Sequence, residues 1–200
     1  MTKGEILSAV GHLLIEQGFT IRVFNLVDFS QSDGYDPFRY IRDDKDVLRL
    51  ITNLIRNTTP KNAASSDPFW EKAETALLEA LMFYLLYEAP ENEQNFGMII
   101  RMLSYADVKE EKESYKSPLD MLFNDLGMND PNHIAVKQYR IYKQAAGKTA
   151  KSILVSAAVR LASFTLREIQ DITDEDNLEL SKLGERKQAI FCVIPDSNDV

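Results

Sequence analysis

The chain has one cysteine and two histidines, and each shortage removes a class of protein. Cys192 has no partner within the chain, so no disulfide framework is available and a reducing, cytosolic setting is expected. It lies in Ala189-Ile-Phe-Cys-Val-Ile194, where the expected role is a small buried thiol, and burial disfavours the thiolate that a nucleophile needs. His12 and His133 stand at no metal-ligand spacing, no His-Glu-x-x-His pattern occurs, and a lone cysteine builds no zinc site, so no metal site is assigned. A Gly-x-Ser-x-Gly elbow is also missing, and the carboxylates lie mostly in solvated runs such as Asp174-Glu-Asp176, so no catalytic residue is assigned. The longest apolar stretch, Ala80 to Tyr87, is far shorter than the roughly 20 residues that span a bilayer, and no basic-then-apolar leader opens the chain. Positive charge is short too: 23 Lys and Arg against 31 Asp and Glu leave −8, which excludes a uniformly basic nucleic-acid binder but not a local basic face. What remains is 200 residues, 44% hydrophobic and 27% charged, an ordinary globular composition with material for one compact domain and an appendage.

The two ends differ from the middle. Lys3 to Gln17 carries Ile6, Leu7, Val10, Leu13 and Leu14 at helical spacing, and Gly18 stops that helix as a C-terminal cap. Thr20 to Phe29 and Gln188 to Ile194 read as β-branched and aromatic strands, the first closed by turn residues and the second by Pro195. A helix and strand at one end with a lone strand at the other make part of an α/β unit. Between them nearly everything is helical, and Asp67-Pro68, Ser117-Pro118 and Asp130-Pro131 each set a capping side chain before a proline. Asp43 or Asp44 caps a helix running through Arg56, and Pro68 to Glu88, apolar on most sides, is expected at the centre of the bundle. Further helices are expected over Asn92 to Tyr105 and Ser117 to Leu126, over Pro131 to Leu161 as two helices or one kinked near Gly147, and after the capping box Thr165-Leu-Arg-Glu168. Residues 168–185 are acidic, as a solvated connection would be.

Two features invite a functional reading. Ala145-Ala-Gly-Lys-Thr149 ends like a phosphate-binding loop, but Tyr142 occupies the position of that motif's first glycine and helix precedes it, so plain helix is expected. Charge segregation is the stronger feature: from Ile134 to Leu166 there is no acid, while Lys137, Arg140, Lys143, Lys148, Lys151 and Arg160 are present. On one continuous helix Lys137, Arg140, Lys148 and Lys151 would form a basic ridge for phosphates or an acidic protein. Its bland counterpart is a solvated face balancing acidic neighbours. Arg39, Arg42, Arg49 and Arg56 are interleaved with Asp43, Asp44 and Asp46 and read as surface ion pairs. Tyr84, Tyr139 and Tyr142 read as core, and Trp70 as an anchor for its helix start.

Tyr35-Asp-Pro-Phe-Arg-Tyr-Ile41, Asp67-Pro-Phe-Trp-Glu-Lys-Ala-Glu74, Lys143-Gln-Ala-Ala-Gly-Lys-Thr-Ala-Lys-Ser152 and Ile190-Phe-Cys-Val-Ile-Pro-Asp196 resemble the TraG/TraD-type coupling ATPases of type IV secretion and conjugation, and the similarity spans nearly the whole chain. The resemblance implies an all-α domain inserted into a RecA-like motor, facing the cytoplasm and helping to select DNA–protein substrates. It also implies a hexameric, membrane-anchored parent at the cytoplasmic face of the cell membrane, using ATP and magnesium. No P-loop precedes Thr2 and no Walker B Asp-Glu follows Asp196, so ATP hydrolysis is expected in the parent polypeptide, not in these residues.

The expected architecture is therefore mainly α: a helical domain over residues 38–185, flanked by motor remnants over 1–37 and 186–200 whose strands pair. The expected function is recognition of a relaxase or relaxosome protein with single-stranded DNA, or of an adaptor, by a soluble, monomeric piece through Lys137, Arg140, Lys148 and Lys151. Two alternatives are a small nucleotide-binding enzyme using Gly147, Lys148 and Thr149 with Asp28 or Asp196 on magnesium, and a helical protein-interaction module with no DNA role.

Overall fold

The computed structural model describes residues 4–59, 68–108, 115–145 and 147–195. Eight α-helices and two strands occur among them, in two units: residues 4–40 with 166–195, and Ile41–Thr165.

In the first unit α1 (Glu5–Glu16) ends where Gly18 takes a left-handed φ of 80°, the backbone state a glycine after a helix enters without a Cβ penalty. The chain then enters β1 (Thr20–Asn25), which pairs in parallel with β2 (Gln188–Val193), with Thr20 opposite Gln188 and Asn25 opposite Val193. The two terminal strands thus pair as expected. Residues 28–34 fold back over the other edge of β1: Val23 N–H donates to Asp33 Oδ2 at 2.7 Å, Asp33 N–H to the Val23 carbonyl at 2.7 Å, and Asn25 N–H to Ser32 Oγ at 2.9 Å. Because Thr20 N–H bonds the Lys187 carbonyl and Leu26 N–H that of Val193, the alternate residues Gln188, Ile190 and Cys192 turn their backbone groups to the opposite edge of β2. Among the described residues one edge of this sheet is blunted and the other pairs with no strand.

Cys192 is exposed, which corrects the buried thiol expected of it. The reason is architectural: parallel strands need cover on both faces, and a single pair of strands has too few layers to supply it.

Residues 166–185 fold with the strands, whereas the sequence pattern carries the helical segment to 185. Tyr35 N–H donates to the Ile172 carbonyl, and Asn177 and Leu178 N–H both donate to the Gly34 carbonyl, so two chain segments run in contact at Gly34. Tyr40 stacks on Tyr35 at 5.4 Å, donates its hydroxyl to Asp176 and accepts from Leu180 N–H. A Cβ on Gly34 would lie 2.4 Å from the Glu175 carbonyl oxygen. Gly34→Ala is accordingly expected to destabilise this unit by about 1–3 kcal/mol, measured by chemical denaturation; an unchanged midpoint would show that the two segments separate freely. The Thr165–Glu168 capping box does not form: Thr165 Oγ1 donates to the Ala162 carbonyl within a 3₁₀ turn, and α8 (Arg167–Thr173) starts from Leu166 without a side-chain cap.

The helical unit is built around α3 (Pro68–Glu88), whose Leu77, Leu78, Leu81, Met82 and Phe83 are wholly buried. It packs against α2 (Asp44–Thr58), α4 (Phe96–Ser104), α6 (Ile134–Tyr142) and α7 (Gly147–Arg160), as the all-round apolar pattern predicts. Asp43 caps α2 by accepting from Asp46 N–H at 3.0 Å. Asn95 caps α4, later than the expected start at Asn92, because residues after Pro90 form a 3₁₀ turn. Ser117 and Asp120 complete the capping box of α5 (Pro118–Asn129). Asp130-Pro131 starts no helix: Asp130 Oδ1 holds Asn132 N–H in a turn, and α6 begins after His133, whose Nδ1 accepts from Ala135 N–H. Asp67 lies outside the described residues. Phe69 and Trp70 are partly exposed, and the burial of α3 begins a turn later, at Ala73. Tyr139 and Tyr142 are buried as core residues. Among the described residues no helix is long and apolar enough to cross a membrane.

Candidate partner-binding groove

Local chain chemistry decides where the basic residues sit. At the end of α6, Lys143, Gln144 and Ala145 turn their N–H groups onto the Tyr139, Ile141 and Tyr142 carbonyls, and Gly147 takes a left-handed φ of 53°. The helix breaks there, so the continuous ridge expected from helical spacing does not exist. Lys137 and Arg140 stand exposed on α6, and Lys148 and Lys151 stand exposed on α7. Of the four, Arg140 lines a concave site.

That site is a groove of about 580 Å³ between α5 and α6, lined among others by Lys116, Phe123, Met128, Val136, Arg140 and Lys143. Its scaffold is polar and buried. Asp120, which faces α6, accepts from Ser117 N–H and Oγ at 2.9 Å, from the Tyr139 hydroxyl at 2.8 Å and from Lys143 Nζ at 2.9 Å. Burial pushes the Asp120 carboxyl up, but the bonds from Lys143, Ser117 and Tyr139 outweigh it and hold its pKa below the ordinary value. Burial and the same carboxylate raise the Tyr139 hydroxyl, keeping it a neutral donor. Phe123 and Tyr139 stack at 4.0 Å with their rings 5° apart, forming the floor.

Gly127 brings the two helices together. A Cβ there would lie 3.2 Å from Val136 Cγ1 and 3.5 Å from Arg140 Nη2. The guanidinium thus crosses bare backbone, and its Nη1 donates to the Pro131 carbonyl at 3.1 Å. Lys116, Lys143, Phe123 and Gly127 were not legible as a site in the sequence. The available signal was the Ser117–Asp120 cap facing Tyr139 and Lys143, which are four residues apart on one side of a helix.

Among the described residues Gly147, Lys148 and Thr149 form no phosphate-binding loop. Gly147-Lys148-Thr149 opens α7, but a helix and a turn precede it in place of a strand and glycine-rich loop, and Tyr142 is buried where the first glycine belongs. These residues do not fit a nucleotide phosphate. Asp28 accepts from Ser30 N–H and Oγ as the cap of a 3₁₀ turn, and Asp196 lies outside the described residues. Among the described residues no group of three or more His, Cys, Asp or Glu is placed to hold a metal ion. Arg42 and Arg49 both pair with Asp46 at 3.1 Å on the surface, as the interleaved charges predict.

These features define a mainly helical protein whose terminal strands meet in a two-stranded parallel sheet and whose helical unit carries a basic groove. The chain belongs to the family described as Type IV secretory system Conjugative DNA transfer, which matches residues 2–199. No match is found among curated proteins.

Proposed function

We propose that the helical unit Ile41–Thr165 is the substrate-recognition part of a TraG/TraD-type coupling ATPase, docking a relaxase–DNA complex or an adaptor while ATP and magnesium act elsewhere in the parent. The observation that supports this reading is topological. The helical unit is inserted in the chain between two neighbouring parallel strands, and among the described residues no strand pairs with the outer edge of β2. A two-stranded parallel sheet is marginal alone, so the strands read as part of a larger sheet. Motor chemistry then lies beyond this unit, and selection is left to the helices.

The test is retention of a purified relaxase–DNA complex from the same conjugative element on the immobilised chain. Retention is expected; its absence at low salt overturns the reading. Nucleotide titration adds an independent check, with no ATP binding expected. Micromolar ATP affinity lost in Lys148→Ala would instead favour the nucleotide-binding alternative.

A further inference from the structure

We propose that the α5–α6 groove binds an acidic peptide segment of a substrate protein, its carboxylates meeting Lys116, Arg140 and Lys143 and one large apolar side chain lying against Met128 at the rim. The identity of the protein carrying that segment rests on the substrate-recognition reading; the chemistry of the groove does not.

Charge is the first argument. Among the described residues three cations line the groove against one carboxylate, Asp120, a net of 3 − 1 = +2 in a chain of −8. That carboxylate is 5% exposed and already accepts four bonds, so it is spent on holding Lys143 and Tyr139 and offers a ligand little repulsion. Arg140 is held across Gly127 by the Pro131 carbonyl, and a cation positioned in advance loses less entropy when a carboxylate docks on it.

The two floor rings offer no platform for base stacking. Single strands bind without sequence readout when bases stack on open aromatic faces. Here Phe123 and Tyr139 are buried and stacked on each other, so neither floor ring presents a free face. Met128, 74% exposed at the rim, offers instead the adaptable apolar surface that suits a leucine or phenylalanine side chain.

The probe is a fluorescein-labelled dodecapeptide with Asp and Glu flanking a central Leu-Phe pair, titrated into the intact chain by anisotropy. A matched peptide with Lys in place of each acid and a labelled thymidine dodecamer serve as comparisons. Saturable binding of the acidic peptide alone is expected, weakening as salt rises from ~50 mM. The doubly reversed variant Lys116→Glu/Arg140→Glu, at two exposed positions, is expected to weaken binding at least about tenfold. Gly127→Leu is expected to block it with no change of charge. Absence of acidic-peptide binding, equal binding of the lysine peptide, or indifference to the charge reversal overturns the proposal. So does thymidine binding with the same residue dependence, which would make the groove a nucleic-acid surface. If the peptide binds but the relaxase complex is not retained, the groove stands and the substrate-recognition reading falls; if the reversed variant retains the complex equally well, the opposite holds.

Discussion

Glu74→Ala is expected to lower the unfolding free energy of the helical unit by about 3–5 kcal/mol, because it leaves a nearly buried guanidinium without its counter-charge. Glu74 sits on α3, and its Oε1 accepts from Arg160 Nε at 2.8 Å, its Oε2 from Arg160 Nη2 at 3.2 Å and from Ser156 Oγ at 3.1 Å. The side chains of Arg160 and Glu74 are 12% and 6% exposed. Arg160 Nη1 continues to the Ile55 carbonyl at 2.8 Å and to Thr58 Oγ1, so one guanidinium satisfies the C-terminal end of α2 while joining α7 to α3. Replacing both partners with apolar residues, Glu74→Leu with Arg160→Met, is expected to recover most of the loss, since the cost lies in the unpaired charge. Urea unfolding of both single variants and the double variant measures the coupling. A single-variant loss below ~1 kcal/mol would mean the pair behaves as a solvated surface bridge.

The second large effect is a dependence on pH that runs opposite to that of most carboxylates. Glu79 is buried on α3, and burial alone pushes its carboxyl up to about 7. The folded state therefore binds a proton more tightly than the unfolded chain. That contribution to stability is complete below the unfolded value near 4.5 and is lost as pH rises toward 7, a change of roughly 3 kcal/mol at about 1.36 kcal/mol per unit. Asp120, held below its ordinary value, acts the other way: its contribution is present above that value and disappears in more acidic solution. The two windows do not overlap. Urea midpoints between pH 5 and 8 should fall for the native chain and stay level for Glu79→Gln. Parallel curves for the two proteins would show that Glu79 ionises freely in the folded state.

Periodicity and capping chemistry made most of the helices legible. The Asp43 cap, the Ser117–Asp120 box and Gly18 are local devices, each formed by residues within a few positions of one another, so sequence spacing carries them directly. The same reasoning failed at Thr165 and at Asp130-Pro131, where equally good capping residues went to a 3₁₀ turn and a reverse turn. Local hydrogen-bonding potential does not choose among turns when neighbouring elements fix the direction of the chain. The basic ridge failed for a related reason: helical spacing places charges on one face only while the helix continues, and the turn at 143–145 ends it.

Composition, spacing and punctuation alone were enough for a mainly helical chain, a central apolar helix and terminal strands, while four sequence segments carried a family resemblance that the match over residues 2–199 bears out. Three things required the fold. One is the groove, which depends on Gly127 admitting Val136 and Arg140 from another helix; another is the Glu74–Arg160 pair, whose partners are 86 positions apart. The third is the placing of residues 166–185 with the strands, through bonds to Gly34 and Tyr40 on a distant part of the chain. Local sequence encodes interactions that close within a turn or two, whereas contacts between remote segments form only when burial of the whole core brings those segments together.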